Sequence, residues 1–458
     1  MPPFPALEAE EWMTKFFKTA GTLVAMSLCP MAIAAQERLT LLEAVNRSLS
    51  HYPSLRASLA QVDAAAAAVD EAEAARFPTV SVGGSLTRYQ EPTIVHPIHA
   101  FTPDLVPPFD RTLFQLLADL DYSLFDGGAR RSRIDESRAR ARGQESSFAD
   151  VRQRLLSQVV QEYLRALSRS STLSAQDRSI DALELELSRV KQLFDVGRAA
   201  TVDVLRVEAA IAASRAERVR VLSSLKLAER NLARLIGADE SETRASSLAP
   251  VELSDRRVPP REEIRQKALE SNPTVRLARE ELDIAEASLG VSRSRRLPTV
   301  NVDGRYVNYG SASGANSLEW NVGVSLHYPV FTGGAVASAV ARSQATARSA
   351  RERLAWMESE VASDVDRAFS TLEETEARVE SLAIAVNRFA EVSRIEKLRL
   401  DTGVGTEADY IRAEADRLGT EAGLIEAQYA EIAARAELAR ITGSLGPEWV
   451  EDRLRSGR

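Results

Sequence analysis

A chain of 458 residues is long enough for two or three ordinary domains or for one extended architecture. Its net charge of −8 provides no basic excess, so we expect no nucleic-acid partner. Aromatic residues make up only 6% of the chain, and the dominance of Ala, Arg, Glu, Leu and Ser is typical of long helices. After the N-terminal region, no uncharged apolar run reaches the roughly 18 residues that an inner-membrane helix needs.

The N-terminal region has the order of a secretory signal. Two lysines that follow Met13 precede an apolar run at 20–28, and the segment Ala-Ile-Ala at 32–34 supplies a small-x-small cleavage site. We therefore predict that residues 1–35 are a signal peptide whose true start is Met13.

Cys29, inside this signal, is the only cysteine. One interpretation is a lipid-attachment site, and the other is an apolar residue that is removed with the signal. Leu28 and Pro30 beside it match a lipid-attachment signal poorly, which favours the second interpretation. The mature chain would then contain no cysteine and no disulfide.

Two sequence patterns occur twice. RFPTVSVGG from Arg76 recurs as RLPTVNVDG from Arg296, and YSLFDGG from Tyr122 recurs as YPVFTGG from Tyr328. The shared order of motifs predicts an internal duplication. The predicted parts are the signal peptide (1–35), the first repeat (36–237), a linker (238–260), the second repeat (261–443) and a C-terminal tail (444–458).

Each repeat is predicted to contain a helix, a β-hairpin and a very long helical hairpin. In the first repeat these are residues 39–75, 77–125 and 128–236, and in the second repeat they are 261–293, 297–330 and 335–442. The fold class is therefore mainly α with a smaller β part of four strands.

The predicted strands alternate apolar and polar residues. In the last strand, Leu318, Trp320 and Val322 alternate with Glu319, Asn321 and Gly323, so opposite faces of the strand differ in polarity. An ordinary half-buried antiparallel sheet shows the same alternation. A membrane sheet is favoured because the strands approach the length of a tilted membrane strand. Their ends also carry aromatic residues typical of a lipid interface, namely Tyr122, Phe125, Trp320, Tyr328 and Phe331.

Four strands are too few to close a barrel, and open sheet edges are not tolerated in lipid. We therefore expect several identical chains to share one barrel. Two chains would supply eight strands around a filled interior, and three would supply twelve strands around a channel.

The predicted helix 128–194 would be about 100 Å long, wider than the core of an ordinary domain. The predicted hairpin 335–442 contains the matching long helix of the second repeat and a helix that follows it. In that following helix, small or apolar residues recur at alternating spacings of three and four from Ala408 to Ala436. This heptad pattern predicts antiparallel coiled-coil hairpins. The glycine pairs Gly127, Gly128, Gly333 and Gly334 are expected to turn the chain from strand to helix.

The duplicated motifs resemble the TolC family of outer-membrane efflux proteins, also called outer-membrane factors. The resemblance rests on the FPTV and LPTV strand starts, on YSLFDGG and YPVFTGG, and on the two hairpin turns that precede Asp203 and Asp409. It implies a homotrimer with a twelve-stranded β-barrel in the outer membrane and a long periplasmic α-barrel. It also implies partners, namely a periplasmic adaptor protein and an inner-membrane pump, proton-driven or ATP-driven, including type I secretion machines.

The resemblance also implies a gate at the periplasmic entrance, where aspartates form a ring. Asp409 matches the first of these aspartates and Asp203 its counterpart in the first repeat, but Arg412 occupies the position of the second, as Arg206 does upstream. We hypothesise that Asp409 and Arg412 form inter-hairpin ion pairs that hold the entrance closed. The alternative is that they are ordinary solvated charges.

An enzyme is not expected, because no nucleophile–base arrangement, metal cluster or cofactor fingerprint is present. His96 and His99 lie in a proline-rich loop without an evident third ligand, so no metal site and no cofactor are predicted. His327, in a strand, is expected to face the lumen.

Two other functions are compatible with coiled hairpins after a signal peptide. A periplasmic adaptor would carry one hairpin and would lack duplicated strands with one apolar and one polar face. An envelope-spanning structural coiled coil would need no sheet of such strands. The polar face of the strands does not identify the class of substrate, so drugs, metals and proteins all remain as alternatives.

Overall fold

The computed structural model describes residues 38–99 and 106–456, so the predicted signal peptide, with Met13 and Cys29, lies outside the described residues. In the first half, the helices are α1 (Leu41–His51), α2 (Pro53–Ala74), α3 (Ala129–Asp195) and α4 (Thr201–Ile236), and the strands are β1 (Thr79–Ile94), β2 (Phe109–Phe125) and β3 (Val251–Leu253). A short 3-10 helix spans Ala245–Ser247.

The second half repeats this order. It contains α5 (Arg261–Ser271), α6 (Pro273–Ser294), β4 (Thr299–Ser311), β5 (Asn316–His327), α7 (Ala335–Asp401), α8 (Glu407–Ile441), α9 (Pro447–Arg453) and β6 (Leu454–Ser456). Across the described ranges, no helix combines the length and the apolar character that crossing a membrane requires.

The first predicted helix of each repeat is in fact two helices. The prediction 39–75 is interrupted at Tyr52, and the prediction 261–293 is interrupted at Asn272, each directly before a proline that begins the next helix. The ring of proline disfavours helical backbone in the residue before it, and Tyr52 and Asn272 both have extended ψ angles, 119° and 125°. Asn272 then caps α6 by accepting from the backbone N–H groups of Thr274 and Val275.

The long strands form one antiparallel sheet in the order β1-β2-β4-β5. Both strands of the first hairpin lie within its predicted range 77–125, and the connection between them runs from residue 95 to residue 108. A register shift interrupts the pairing of β1 with β2 between Arg88 and Thr93. β5 ends at His327, so Tyr328 and Phe331 lie beyond the strand rather than inside it.

Glycine pairs connect this sheet to the two longest helices. Gly127 and Gly128 have φ angles of 67° and 86° between β2 and α3, and Gly333 and Gly334 have φ angles of 58° and 86° before α7. Left-handed backbone of this kind is costly for other residues. At Gly127 a Cβ atom would also lie 2.8 Å from the carbonyl oxygen of Ser294.

The helices α3 and α7 are each 67 residues long, which corresponds to about 100 Å. Each ends in a tight turn at a left-handed glycine, Gly197 (φ 75°) or Gly403 (φ 80°), and the chain returns as α4 or α8. α3 packs along α4, and α7 packs along α8. The result is two antiparallel helical hairpins whose tips lie far from the sheet.

The largest buried cluster lies midway along α3. Tyr163 is fully buried there, and its hydroxyl oxygen lies 2.7 Å from the carbonyl oxygens of both Leu39 and Ala249. The predicted linker and C-terminal tail meet at this level, because β3 pairs antiparallel with β6. The two segments, predicted as separate connections, therefore form a second, two-stranded sheet.

A buried ion pair lies beside this cluster on α8. Glu431 and Arg435 are 1% and 7% exposed, and their side chains approach to 3.0 Å. Arg435 also donates to the carbonyl oxygen of Arg256 and to the Glu376 carboxylate. Every guanidinium nitrogen of Arg435 thereby has a hydrogen-bond acceptor, which is a condition under which a buried charge is tolerated.

Replacement of Arg435 by leucine should lower the free energy of unfolding by about 3–5 kcal/mol, because Glu431 would remain charged and buried without its partner. Denaturant titration of the detergent-purified protein measures this change. The double variant Glu431→Leu/Arg435→Leu should recover most of the loss. Equal destabilisation of the single and double variants would show that packing, rather than charge pairing, sets the cost.

Candidate functional site

The four-stranded sheet has one continuous apolar face. Side chains that are paired directly across neighbouring strands lie on the same face, as do Val80 with Leu120 and Tyr306 with Trp320. This face is solvent-exposed in the single chain, with Val82, Trp320 and Val322 exposed by 81%, 74% and 68%. It consists of Val80, Val82, Leu86, Phe114, Leu116, Leu120, Tyr122, Val300, Val302, Tyr306, Leu318, Trp320, Val322, Val324 and Leu326.

The opposite face of the same sheet is polar in the part nearer the helices and carries Leu113, Leu117 and Val307 farther from them. Arg305 donates to Asp119 at 2.6 Å on the neighbouring strand, and Asp121 lies directly across from Asp303. His327 pairs with Thr299 on this polar side. A sheet with one apolar and one charged face separates a hydrocarbon environment from water when it stands at their boundary.

Four of the five predicted belt aromatics lie at the end of the sheet that is next to the helices. Tyr122 lies on the apolar face near the helices, and the guanidinium of Arg130 stands 5.8 Å from its ring centre. Phe125 is the last residue of β2. Trp320 is the fifth of the twelve residues of β5 and lies opposite Tyr306 on the apolar face. Tyr328 and Phe331 follow β5 and are 56% and 90% exposed.

The loop after β1 reaches across to β5, which the sequence did not indicate. Nε2 of His99 lies 3.1 Å from Glu319, and Nδ1 of His96 lies 3.7 Å from the same carboxylate. Glu319 belongs to no sequence motif, so its proximity to both histidines was not predicted. Even so, in the described part of the chain no group of three or more His, Cys, Asp or Glu side chains has the arrangement of a metal site.

The four predicted gate residues lie at the hairpin tips, one pair on each hairpin. Asp203 is in the first turn of α4 and pairs with Arg206 on the same helix at 3.5 Å. Asp409 is in the first turn of α8, where its carboxylate accepts from the Thr406 hydroxyl at 2.6 Å. Among the described residues of the single chain, neither Asp409 nor Arg412 forms an ion pair with the first hairpin.

A different arginine joins the two tips. Arg189, near the end of α3, lies 3.7 Å from Glu407 at the start of α8 and 3.9 Å from Asp401 at the end of α7. It also pairs with Glu186 on its own helix at 3.1 Å. Sequence reasoning missed these residues, because they match no motif and are brought together only when the two hairpins pack.

Two carboxyl groups crowd this contact. The side chains of Glu186 and Glu407 are each 11% exposed, and Oε1 of Glu407 is buried without a hydrogen-bond donor among the described residues. Burial, a hydrogen bond with the Glu186 carboxyl and the charge of that group raise the pKa of Glu407 to about 8, against the opposing effect of Arg189. A hydrogen bond between two carboxyl groups needs one proton, so the contact favours a protonated Glu407.

A family model described as "Outer membrane efflux protein" matches residues 44–238 and 264–444, more than half of the chain. The chain belongs to this outer membrane efflux protein family. This match confirms the resemblance to the TolC family. The family also indicates that the protein is located in the outer membrane.

Relatives of the efflux protein are similar over nearly the whole chain. It is 25% identical to Protein CyaE of Bordetella pertussis, over 90% of this chain and 87% of CyaE. It is 24% identical to outer membrane protein TolC of Vibrio cholerae, over 90% of this chain and 92% of TolC. Its fold matches the crystal structure of the outer membrane protein VceC from Vibrio cholerae with a TM-score of 0.75, at 18% identity, over 88% of this chain and 96% of VceC.

The raised pKa of Glu407 predicts a pH-dependent tip contact in this efflux protein. A carboxyl group whose folded pKa exceeds its ordinary value of 4.5 stabilises the contact at low pH and loses that effect as the pH rises through about 8. Because this stabilisation is lost between the ordinary pKa of 4.5 and the raised pKa of about 8, channel conductance in planar lipid bilayers should increase between about pH 5 and pH 8.

The variant Glu407→Gln should remain at low conductance across this range, because a neutral amide also donates a hydrogen bond and cannot lose its proton. Glu391→Gln, an exposed position on α7 that pairs with Arg394, is the matched control and should keep the pH response of the parent. An unchanged pH response in Glu407→Gln would contradict the assignment.

Proposed function

We propose that the chain is one protomer of a homotrimeric outer-membrane channel, whose three sheets close a twelve-stranded barrel and whose helical hairpins extend into the periplasm as an α-barrel. The chain is an outer-membrane tunnel component of an efflux or type I secretion system, as its family indicates. The proposal of a trimer with a shared barrel rests on the four-stranded sheet. Its apolar face is exposed, and its two edge strands lack an outer strand partner among the described residues.

The edges support the trimer. β1 and β5 are the outermost strands of the described sheet, so each has one side whose backbone groups lack a strand partner. In hydrocarbon each unsatisfied backbone group costs several kcal/mol, so these edges must pair with other strands. Three copies supply twelve strands, and a ring of that size leaves a water-filled lumen lined by the polar face.

The equal halves of the chain support an internal duplication. The two longest helices have the same length, 67 residues, and each follows a left-handed glycine pair after a strand. The family model also matches the chain twice, once in each half. A duplicated unit would place equivalent helices at regular intervals around the tunnel wall.

A channel of this kind is passive, so transport through it needs partners that supply the energy. We propose that a periplasmic adaptor and an inner-membrane pump, proton-driven or ATP-driven, deliver substrate to the hairpin tips. The polar face carries Asp119, Arg305 and Asn321, and a lumen of such side chains discriminates by size and charge. The periplasmic adaptor and the structural coiled coil are not supported as identities, because the family comprises outer-membrane efflux proteins.

The tip residues would act as the gate of this tunnel. Arg189 joins the hairpins within one chain, whereas Asp203, Arg206 and Asp409 contact only residues of their own hairpin among the described residues. We retain the hypothesis that Asp409 and Arg412 pair with residues of adjacent hairpins in the trimer. Both sets of contacts would then restrain the entrance until the partners dock.

Two adjacent residues in the middle of β5 test the membrane assignment. Val322→Arg places a charge on the apolar face, where an arginine costs about 2–4 kcal/mol at the bilayer midplane. Asn321→Arg places the same charge on the polar face of the same strand. We expect Val322→Arg to reduce the amount of assembled trimer in isolated outer membranes severalfold, as measured by semi-native electrophoresis.

Asn321→Arg should assemble like the parent and change only conductance or ion selectivity. Equal assembly of both variants would contradict the assignment of the apolar face to lipid. A parent protein that is recovered as a water-soluble monomer after signal removal would overturn the channel proposal as a whole.

The gate hypothesis is tested by single-channel recording. Arg412→Ser and Arg189→Gln should each increase conductance, because each removes a charge that restrains the tips. Arg388→Gln, an exposed change on α7, is the control and should leave conductance unchanged. If Arg189→Gln alone increases conductance, the restraint lies within each chain and Asp409 and Arg412 are ordinary solvated charges.

A further inference from the structure

Arginines are concentrated where the strands join the helices. Arg76 immediately precedes the β1 segment, Arg295 and Arg296 precede β4, and Arg130 to Arg133 follow β2 in the first turns of α3. All but the half-buried Arg130 are exposed. We define the junction collar as Arg76, Arg130, Arg131, Arg133, Arg295 and Arg296. The collar is a local feature, since the chain as a whole has a net charge of −8.

The collar differs from the arginines farther along the helices because it largely lacks carboxylate partners. Arg142 pairs with Glu280 and Asp283 at 2.7 and 3.0 Å, and Arg351 pairs with Glu286 at 2.8 Å. Among the described residues, the only ion pair of the collar is a long one, 3.9 Å, between Arg131 and Asp135. The nearby Asp126 is engaged by the backbone N–H groups of Gly128 and Arg130. The collar therefore presents uncompensated positive charge.

The collar begins where the apolar face of the sheet ends. The Arg130 guanidinium stacks against Tyr122, which belongs to that face. Beside Arg76 and Arg296, the side chains of Phe77 and Leu297 are 70% and 46% exposed. A band of exposed apolar residues followed by unpaired arginines matches the depth profile of a membrane, where hydrocarbon is followed by headgroup phosphates.

We propose that the junction collar binds the phosphate groups of anionic phospholipids in the leaflet that faces the helices. This inference rests on the proposed insertion of the sheet into the outer membrane. The guanidinium group binds phosphate oxygens through two parallel hydrogen bonds and is weakly hydrated, so it suits a headgroup site better than lysine. A net negative headgroup is required, because the ammonium of a zwitterionic lipid offsets its phosphate.

The test uses the full-length protein, purified in a nonionic detergent and stripped of lipid. Its thermal transition is followed while dihexanoyl-phosphatidylglycerol, dihexanoyl-phosphatidylcholine or inorganic phosphate is added. We expect phosphatidylglycerol alone to raise the transition temperature, and high salt to remove most of this effect. Native mass spectrometry should show bound phosphatidylglycerol under the same conditions.

The variant Arg76→Gln/Arg295→Gln/Arg296→Gln removes three collar charges from exposed positions. Its apparent affinity for phosphatidylglycerol should fall about a hundredfold, because each arginine near an anionic surface contributes a factor of about five. The corresponding triple lysine variant should regain part of the affinity. The control variant Arg230→Gln/Arg378→Gln/Arg388→Gln removes three exposed charges away from the sheet and should bind like the parent.

Equal stabilisation by phosphatidylcholine and phosphatidylglycerol would overturn the proposal, as would equal affinity of the collar and control variants. An effect of inorganic phosphate that matches that of phosphatidylglycerol would show a simple anion site and would also overturn it. These outcomes are separate from failure of the proposed function, because they arise in a protein that needs detergent and migrates as an oligomer. A collar variant that remains oligomeric but loses its lipid preference supports the assignment.

Discussion

The unpaired edges of the four-stranded sheet constrain the rest of the structure. Within the described part of the chain, β1 and β5 each leave one row of backbone groups without a strand partner. Because lipid offers these groups no hydrogen bonds, one chain is an incomplete folding unit in a membrane. In the proposed trimer, closure of the sheet by identical copies would fix where α2 and α6 end and where α3 and α7 begin, since each of these helix ends lies next to a strand end. The geometry of the proposed tunnel wall would thus follow from that of the barrel.

The sequence predicted the parts of this fold that depend on local patterns. Alternation in β5 gave the correct faces of Trp320 and Asn321. Helix-favouring composition predicted the second helical hairpin as 335–442, and α7 and α8 span Ala335 to Ile441. The split of the first helix at Pro53 was also readable locally, but the strong helical pattern on both sides concealed it. The pairing of β3 with β6 was not readable, because three-residue strands carry too little periodicity.

Contacts between distant segments explain why the candidate sites were predicted only in part. Asp203 and Asp409 were found because they follow recognisable turns. Arg189 and Glu407 belong to different repeats, and only the packing of one hairpin against the other brings them within 3.7 Å. Glu319 and His99 likewise meet because the loop after β1 crosses the sheet. Periodicity and turn chemistry are local signals. They therefore carry no information about pairs of residues that are far apart in the sequence.

The two ends of the long helices differ in stability. At the strand end, left-handed glycines and a closed sheet would fix the direction of each helix. At the tips, only the small apolar cluster of Val190, Val207 and Ile211 supports the ion pairs of Arg189. Segments with few buried apolar contacts open at the lowest free-energy cost. Movement of the hairpins should therefore be concentrated at the tips, where the crowded carboxyl groups of Glu186 and Glu407 already oppose tight packing whenever both are charged.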